Sequence, residues 1–351
     1  IIFAGDFAQL PPVGASSVSK LLKNASFMAG TASGQAQLDG KLLWLCVDCV
    51  VILQKPQRQE GDLNKRFVEL LDRLRLGECN DEDYEILCTR VMAPEHAGLF
   101  DSNSPWRWCP IIVTDNASKD ALNEACAIQF ALDNDEELHW YYAVDRRLGQ
   151  VIRNEELVEA LQWCDSGETK QRLGRLPLCK GMPVLVSQNF DVAGGVVNGT
   201  RGTVVSVRYK LNRLKQRVCT SVVVAIDDKG VPMPHLPQSH MPIIADTVDI
   251  TFNKPGSESK KVQREQVAVV PAFSMTAHRA QGQTMTHAII DIGSSINTQA
   301  AYVMVSRATS LDGLLIFQPF PKSVIQRGLP EEVHVEFHRL EIAALHTIVR
   351  Y

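Results

Sequence analysis

The sequence predicts an α/β protein in which parallel sheets are covered by helices. The first observation is an alternation near the C-terminal end, where strand-like apolar runs at residues 288–292 and 314–317 flank a helix-like stretch at residues 298–306. The second is the apolar run at residues 108–113, which leads through polar residues into another helix-like stretch. Strands that alternate with helices are typical of a parallel sheet. Polar residues follow these strands, where open α/β sheets bind ligands.

Length and composition limit the classes of protein to which this sequence can belong. The 351 residues suffice for two domains and a small third. Hydrophobic residues make up 45% of the chain and charged residues 22%, which is typical of a soluble globular protein. No run of about 18 apolar residues occurs, so we expect no membrane span. The formal net charge of −4 still permits a local nucleic-acid channel, because the local field decides binding.

The cysteines predict a reducing compartment. Nine cysteines with scattered spacing indicate reduced thiols, as in the cytosol or nucleus. Cys46 and Cys49 form a lone Cys-x-x-Cys within an apolar, strand-like run. A zinc site usually needs four ligands, and no second pair lies near this one. We therefore predict that both thiols are buried, and we expect no metal site.

The chain opens with a predicted strand at residues 1–4, followed by Gly-Asp-Phe-Ala-Gln-Leu-Pro-Pro-Val at residues 5–13. An acid and an amide would emerge from the end of this strand, and the two prolines would stiffen the loop behind them. Residue 1 is Ile rather than Met and would lie within the strand. This predicts that the sequence is a fragment of a longer protein.

Residues 16–40 are rich in Ser, Ala and Gly, and they are predicted to form a surface loop with a short helix. Within them, residues 34–41 have a superficial likeness to a phosphate-binding loop. However, five residues separate the two glycines where that loop has four, and Leu42 replaces the Ser or Thr that would bind magnesium. No predicted strand precedes the segment, so we reject it as a phosphate-binding loop.

Residues 42–53 are predicted to be a strand region, and Gln-Arg-Gln follows at residues 57–59. A helix is predicted next, from a cap at Asp62 to a stop at Gly77. Its apolar residues recur at helical spacing and are predicted to be core: Leu63, Phe67, Leu70, Leu71 and Leu74. A second, acidic helix is predicted at about residues 81–91.

From residue 176 to about residue 270 the sequence favours short strands joined by turns. Asn-Gly at residues 198–199 lies between apolar runs and strongly indicates a hairpin. We therefore predict a small β-barrel inserted at residues 191–265. After residue 320 we predict a helical tail with His338 and His346 on its surface.

Basic residues are concentrated in this β-rich stretch: Arg208, Lys210, Arg213, Lys215 and Arg217. A solvated hairpin is one interpretation of the cluster, and contact with a phosphate backbone is the other. The sequence leaves both interpretations open.

Three segments resemble motifs of the petite-integration-frequency family of superfamily-one DNA helicases, whose relatives include RecD. Residues 5–13 are similar to the family's third motif, Gly-Asp-x-x-Gln-Leu-Pro-Pro-Val. Residues 278–284, His-Arg-Ala-Gln-Gly-Gln-Thr, resemble the fifth motif, with Arg279 and Ala280 in place of the usual Lys and Ser. Residues 302–308, Tyr-Val-Met-Val-Ser-Arg-Ala, resemble the sixth.

Two further segments resemble the family. Gln-Arg-Gln at residues 57–59 stands where the family has Phe-Arg-Gln, so that Gln57 departs from the pattern. In the segment that begins at residue 176, the matching positions are Gly181, Asn189, Asn198, Gly199 and Gly202.

The resemblance implies roles for individual residues. It implies that Gln9 senses the terminal phosphate of ATP, and that Arg58 and Arg307 reach the transferred phosphate as arginine fingers. A planar and permanently charged group suits that task. Further nucleotide contacts are implied for Gly5, Asp6, Gln281 and Gly282. Nucleic-acid contacts are implied for His278, Arg279 and Thr284.

The resemblance also implies RecA-like domains of the P-loop NTPase class. Residues 1–99 would be the C-terminal part of a truncated first domain, and residues 100–190 with 266–351 would form a second domain around the β-barrel. In the family, the phosphate-binding loop and the acidic pair for Mg²⁺ precede the third motif. Both are therefore expected to lie before residue 1, so ATP and Mg²⁺ would be held mainly outside this chain. The 351 residues alone are expected to be inactive.

The implied activity is that of an ATP-dependent DNA helicase which moves five-prime to three-prime on single strands in repair, recombination or telomere maintenance. The implied partners are single-stranded DNA and forked duplex DNA, and the implied state is a monomer. Its place would be the nucleus or mitochondrion in a eukaryote and the cytoplasm otherwise. Two alternatives stay open: a non-catalytic nucleic-acid-binding module derived from a helicase, and a RecD-like exonuclease subunit.

Overall fold

The computed structural model describes residues 1–11, 31–59, 61, 64–226, 236–237, 239–253 and 259–351. The chain divides into two units, Ile1–His96 with Ala280–Tyr351, and Ala97–Arg279. In chain order the helices are α1 (Ala32–Leu45), α2 (Lys65–Leu76), α3 (Asp81–Cys88), α4 (Asn116–Asp133), α5 (Glu155–Gln162), α6 (Ala277–Ala280), α7 (Thr298–Val305) and α8 (Glu331–Arg350).

The strands are β1 (Ile111–Val113), β2 (His139–Tyr142), β3 (Val144–Arg147), β4 (Gln150–Val151), β5 (Arg175–Leu178), β6 (Pro183–Val186), β7 (Arg201–Leu211), β8 (Arg217–Ala225), β9 (His240–Phe252), β10 (Lys260–Val267), β11 (Val269–Pro271), β12 (Ser274–Thr276), β13 (Ala288–Ile290) and β14 (Leu314–Ile316).

The helices α2 and α3 confirm two predictions in the first unit. The predicted apolar face of α2 is buried at Phe67, Leu70, Leu71 and Leu74. The helix stops at Gly77, whose φ of 74° lies in the left-handed region that favours glycine. The predicted cap and core residue at positions 62 and 63 lie outside the described residues, and α2 begins at Lys65. The acidic helix α3 follows, with a capping box between Asn80 and Asp83 at its start.

Two predicted strands in the first unit are not strands. Residues 1–6 have no helix or strand, and the side chains of residues 1–3 are exposed. Residues 42–45 are the last turn of α1, and residues 46–54 are irregular. An apolar run becomes a strand only where a neighbouring strand completes its hydrogen-bond ladder. Within the described residues neither run has such a neighbour.

The helix α1 contains residues 34–41, the segment rejected above as a phosphate-binding loop. The hydroxyl of Thr31 caps it, because it accepts a hydrogen bond from the N–H of Gly34 at 3.1 Å. Residues 12–30, which include most of the predicted surface loop as well as Pro12 and Val13, lie outside the described residues. The cysteine prediction was wrong: Cys46 and Cys49 are exposed, because they lie at a helix end and in an irregular segment.

The alternation of strand and helix near the C-terminal end is confirmed. In the first unit β13 and β14 pair in parallel, with Ala288 opposite Leu314 and Ile290 opposite Ile316. All residues of both strands are buried, and so is most of α7 between them. The long helix α8 ends the unit, and its residues His338 and His346 are exposed, as predicted.

The second unit contains another parallel pair, formed by β1 and β12. The predicted transition from strand to helix is confirmed here, because the Asp115 carboxylate accepts a hydrogen bond from the N–H of Ser118 at 2.7 Å and starts α4. The buried Asn123 of α4 then holds the β12 backbone. Its side chain donates to the carbonyl of Ser274 at 3.1 Å and accepts from the N–H groups of Phe273 and Ser274.

The other strands of the second unit form a sheet whose pairs are antiparallel except for the single pairing of β2 with β8. Its strand order is β11-β6-β7-β8-β9-β10-β3-β4, and β2 pairs with both β5 and β8. A Cβ at Gly202 would lie 2.5 Å from the carbonyl oxygen of Ala225, so the close approach of β7 and β8 requires glycine there. The strands run from His139 to Pro271, a longer stretch than the predicted insertion. The domain boundaries named above remain a prediction.

None of the described helices is long and apolar enough to cross a membrane.

Candidate functional site

The segment that carries Arg58 lies against the end of α7 in the first unit. Arg58 Nε donates to the hydroxyl of Thr284 at 3.0 Å, and Arg58 Nη1 donates to the carbonyl of Ser306 at 3.0 Å. Next to it, the buried Gln59 side chain donates to the carbonyls of Ser306 and Ala308 at 3.3 and 2.7 Å. Two adjacent side chains of an irregular segment therefore bind the backbone on both sides of Arg307.

Arg307 lies directly after α7, and only 2% of it is exposed. Its guanidinium donates to three groups of the first unit: the carbonyl of Val303 at 2.7 Å, the hydroxyl of Ser306 at 2.7 Å and the carbonyl of Gln283 at 3.4 Å. Each of these acceptors is neutral. Burial, and then the charge of Arg58, lower the pKa of Arg307 to about 10. Two cations that affect each other and that donate to neutral acceptors make this a place that would favour an anion.

A cavity of about 390 Å³ opens beside Arg58 in the first unit. Burial raises the pKa of Asp72 in its wall, and burial followed by the charge of Asp6 raises the pKa of Tyr302. Both shifts favour the uncharged form of the side chain. The cavity is lined by Pro56, Gln57, Arg58, Gln59, Val68, Leu71, Asp72, Thr284, Tyr302 and Ser306.

The conformation of the loop at residues 5–9 is stabilised by hydrogen bonds to Asp6, which is part of the loop. The Asp6 carboxylate accepts a hydrogen bond from the N–H of Ala8 at 3.1 Å, and the Asp6 carbonyl accepts one from the N–H of Gln9 at 3.1 Å. The same carboxylate forms a bidentate pair with Arg75 of α2, at 2.8 and 3.1 Å. Gly5 is exposed, and a Cβ on it would meet no other atom within 4 Å among the described residues.

Gln9 reaches the segment that follows α6. Its side-chain oxygen accepts a hydrogen bond from the Gln281 amide at 3.3 Å. Gly282 adopts a φ of 83°, which lets the backbone turn sharply after Gln281. Gln283 then supplies one of the carbonyls that Arg307 binds. Residues 281–284 therefore contact all three predicted side chains in the first unit, which are Gln9, Arg58 and Arg307.

The second unit contains the other two predicted residues. His278 is exposed on the short helix α6. Arg279 contacts the side-chain oxygen of Asn198, whose N–H donates to Asn189 at 3.0 Å. Burial lowers the pKa of Arg279. Arg279 therefore binds the turn at residues 198–199, which the sequence singled out for a different reason.

Among the described residues, no group of three or more His, Cys, Asp or Glu side chains is placed to hold a metal ion. The residues that do converge are arginines and amides. These side chains are hydrogen-bond donors and suit phosphate oxygens, so the set fits the phosphates of a nucleotide.

Sequence reasoning misses three residues of this site. Gln59 matches the family's pattern, but the pattern assigns it no role. Asp72 belongs to a helix predicted to be only core, and Arg75 lies on the same helix. Nothing in a single sequence indicates that Arg75 pairs with an acid 69 positions away.

No family model matches the chain. Among curated proteins it is similar to the ATP-dependent DNA helicase PIF1 of Danio rerio, with 26% identity over 347 residues, 97% of this chain and 43% of that protein. It is 27% identical to the Homo sapiens protein of the same name over 326 residues, which cover 92% of this chain and 41% of that protein. The chain thus spans about two fifths of the length of these relatives.

Solved structures agree on the fold. The crystal structure of Pif1 helicase from Candida albicans matches with a TM-score of 0.58 and 20% identity, over 82% of this chain and 60% of that one. The structure of Pif1 helicase from Bacteroides in complex with ADP-AlF3 and ssDNA matches with a TM-score of 0.57 and 19% identity, over 95% of this chain and 65% of that one. The predicted α/β fold of RecA-like type is therefore confirmed, and so is the resemblance to this helicase family.

Proposed function

We propose that this chain, whose curated relatives are all PIF1 DNA helicases, forms the part of an ATP-dependent DNA helicase that reaches the terminal phosphate of ATP. The observation that carries the proposal is the pair Arg58 and Arg307. Both guanidinium groups bind Ser306, and the buried one has only neutral acceptors among the described residues. A buried cation without a carboxylate partner is costly to the fold, and an incoming phosphate would offset that cost.

In this proposal each loop has a different role in phosphoryl transfer. Such a reaction depends on positioning and on charge neutralisation at the transferred phosphate. Arg58, in the wall of the cavity, and the buried Arg307 would neutralise that charge. Gln9 would sense the phosphate, with Gln281 as its hydrogen-bond partner and Gly5, Asp6 and Gly282 shaping the loops around it. ATP would bring Mg²⁺ with it, held by groups other than these donors.

Nucleic acid would bind through the segment at residues 278–284. We propose that His278 and Arg279 contact the phosphate backbone and that Thr284 donates to it. Thr284 is already a hydrogen-bond partner of Arg58 at 3.0 Å, which supports a link between phosphate state and DNA. Single-stranded and forked DNA would be the partners, because a related Bacteroides Pif1 is bound to ssDNA and other Pif1 helicases unwind forked dsDNA. A helicase of this kind would act wherever the cell keeps DNA, which is the nucleus or mitochondrion in a eukaryote.

The test measures ATP hydrolysis by the longest protein that contains this chain, with and without single-stranded DNA. We expect hydrolysis that single strands stimulate, because Thr284, a proposed DNA contact, is hydrogen-bonded to the proposed finger Arg58. The 351-residue chain is measured beside it and is expected to show no hydrolysis. A longer protein that binds single strands yet hydrolyses no ATP would instead support the non-catalytic binding module.

A further inference from the structure

Three side chains of the first unit link the loop at residues 5–9 to α8 by successive contacts. These side chains, Asp6, Arg75 and Phe337, are called the relay below. Asp6 in the loop is bound by Arg75 of α2 through both carboxylate oxygens, at 2.8 and 3.1 Å. The guanidinium of Arg75 in turn lies over the ring of Phe337 of α8, with its carbon 4.8 Å from the ring centre. A cation above an aromatic face is attracted by the ring's electrons.

Apolar packing reinforces the same connection. Ala8 is fully buried and packs with Leu329 and Val333, next to Phe7 and Phe337. A substitution that shifts α8 would therefore move the backbone two residues from Asp6. The next residue along the loop is Gln9, the proposed phosphate sensor.

Further contacts fix the other side of the loop. The carbonyl of Phe7 accepts a hydrogen bond from the buried Gln299 of α7 at 2.7 Å. The ring of Phe7 meets that of Trp44 edge to face, with centres 5.6 Å apart. The indole N–H of Trp44 donates to the buried Glu336 of α8 at 2.8 Å. Helix α8 is thus connected to the loop by two series of contacts, one that begins at Phe337 and one that begins at Glu336.

We infer that Arg75 is a positioning residue for the phosphate sensor and that the C-terminal helix α8 supports it through Phe337. This inference rests on the proposed function. It also gives Asp6 a task other than nucleotide contact. Both carboxylate oxygens of Asp6 are engaged by Arg75, and one of them also accepts from the backbone of Ala8. Asp6 holds the loop, and Gln9 faces the nucleotide.

The principal variant is Arg75→Gln in the longest protein that contains this chain. We expect kcat for single-strand-stimulated ATP hydrolysis to fall about tenfold to a hundredfold, with KM for ATP within about twofold, because misplacement of a positioned group costs rate rather than binding. Arg75→Lys keeps the charge and should restore part of kcat. Asp6→Asn should match Arg75→Gln, and the double variant should be no worse than either, because both changes break the same contact.

The matched control is Arg73→Gln. Arg73 lies on the same helix and makes a similar bidentate pair, with the buried Asp83 at 2.6 and 2.7 Å. Its pair belongs to the start of α3 rather than to the loop. We expect Arg73→Gln to lower stability while kcat per folded molecule stays at the wild-type value. An equal loss of kcat in Arg73→Gln and Arg75→Gln would overturn the inference, as would a kcat of Arg75→Gln within twofold of wild type.

A second pair of variants tests the helix itself. Phe337→Leu keeps an apolar side chain but removes the aromatic face, and we expect a fall in kcat smaller than that of Arg75→Gln. His338→Leu changes the exposed neighbour on the same helix and should leave kcat unchanged. Equal kcat values for Phe337→Leu and wild type would remove α8 from the inference.

Hydrogen exchange separates this inference from the proposed function. The N–H groups of Ala8 and Gln9 are bonded to Asp6. In the Arg75→Gln chain their exchange should accelerate more than tenfold, whether or not the protein hydrolyses ATP. Absence of hydrolysis in the wild-type protein would overturn the proposed function alone. Unchanged exchange in Arg75→Gln would overturn the relay alone.

Discussion

Buried arginines occur in both units of this protein, and their partners differ. In the second unit, Arg264 is fully buried and forms a bidentate pair with Asp145 at 2.7 and 2.8 Å. Arg172 is 2% exposed and forms such a pair with Asp246. In the first unit, Arg307 is 2% exposed, and its acceptors among the described residues are two carbonyls and a hydroxyl. The largest effect of a neighbouring charge on its pKa comes from another cation, Arg58.

Under the proposed function, this difference separates arginines that stabilise the fold from one that contacts the phosphate. In a buried ion pair each charge is neutralised by its partner. Removal of one partner leaves the other charge buried and unpaired in a medium of low dielectric constant. A buried cation among neutral acceptors has no opposite charge to balance its own, and its pKa is lowered by burial and then by the charge of Arg58. The buried arginines of the second unit are thus paired with carboxylates, whereas the surroundings of Arg307 fit the phosphate contact that we propose for it.

The largest effect is expected for Arg307→Gln. ATP hydrolysis should fall about a thousandfold, the lower range for loss of an arginine finger. The free energy of unfolding should stay within about 1 kcal/mol of wild type or rise, because the substitution removes a buried charge without a carboxylate partner. Steady-state kinetics and urea unfolding measure the two quantities.

Arg327→Gln is the matched control, because Arg327 donates to the carbonyls of Ser295 and Ile296 in the same unit but lies outside the site. Its hydrolysis rate should equal that of wild type. A variant Arg307→Gln that loses about 3 kcal/mol of stability and keeps its kcat would place Arg307 with the structural arginines.

The opposite outcome is expected for Arg264→Gln in the second unit. Asp145, which is 10% exposed at its side chain, would lose its bidentate partner. The free energy of unfolding should fall by about 3–5 kcal/mol, the range for a broken buried pair. Hydrolysis per folded molecule should remain near wild type.

Urea unfolding is compared with that of Arg146→Gln, a neighbouring arginine that is 30% exposed and paired with Glu265. That control should lose no more than about 1 kcal/mol, as exposed pairs do. Equal losses in the free energy of unfolding for both variants would show that burial does not determine how much the Arg264 pair stabilises the fold.

The parts of this fold that local chemistry determines could be predicted from the sequence. The helix α2 follows from apolar spacing and the glycine at position 77, and α4 follows from the polar residues that come after the apolar run at residues 108–113. The runs at residues 1–4 and 42–53 could not be assigned in the same way. Their apolar residues satisfy the pattern of a strand, but strand formation depends on a neighbour that the pattern does not specify.

The candidate site shows the same limit. Short motifs are enough to single out Gln9, Arg58 and Arg307, because each motif includes the side chain that defines it, but they do not predict that all three lie in one unit. The contacts that hold those side chains join positions far apart in the chain, such as Gln59 with Ala308 and Arg75 with Asp6. A single sequence does not contain that information, so its motifs group Asp6 with the nucleotide contacts although its carboxylate binds Arg75.

The smallest effect concerns the hairpin of β7 and β8, where the sequence left two interpretations open. The 25 residues 201–225 contain six basic residues and no acidic one. At the turn, the Asn212 side chain accepts from the N–H groups of Leu214 and Gln216, both at 2.9 Å, and so orders the exposed tip. An ordered basic tip is suited to contact with a phosphate backbone. Unlike the buried Arg307, the tip is exposed to solvent.

We therefore expect a salt-dependent and modest contribution from this tip. Arg213→Gln combined with Lys215→Gln should reduce the slope of log affinity against log salt by about 0.7 for each phosphate interaction removed on single-stranded DNA, or about 1.4 in all. Fluorescence anisotropy across a salt series measures the slope. Lys65→Gln combined with Lys180→Gln changes the net charge equally at other exposed positions and should leave the slope unaltered. Equal slopes for the two double variants would show that the hairpin is merely solvated, because an interaction that releases no counterions is not one with phosphate.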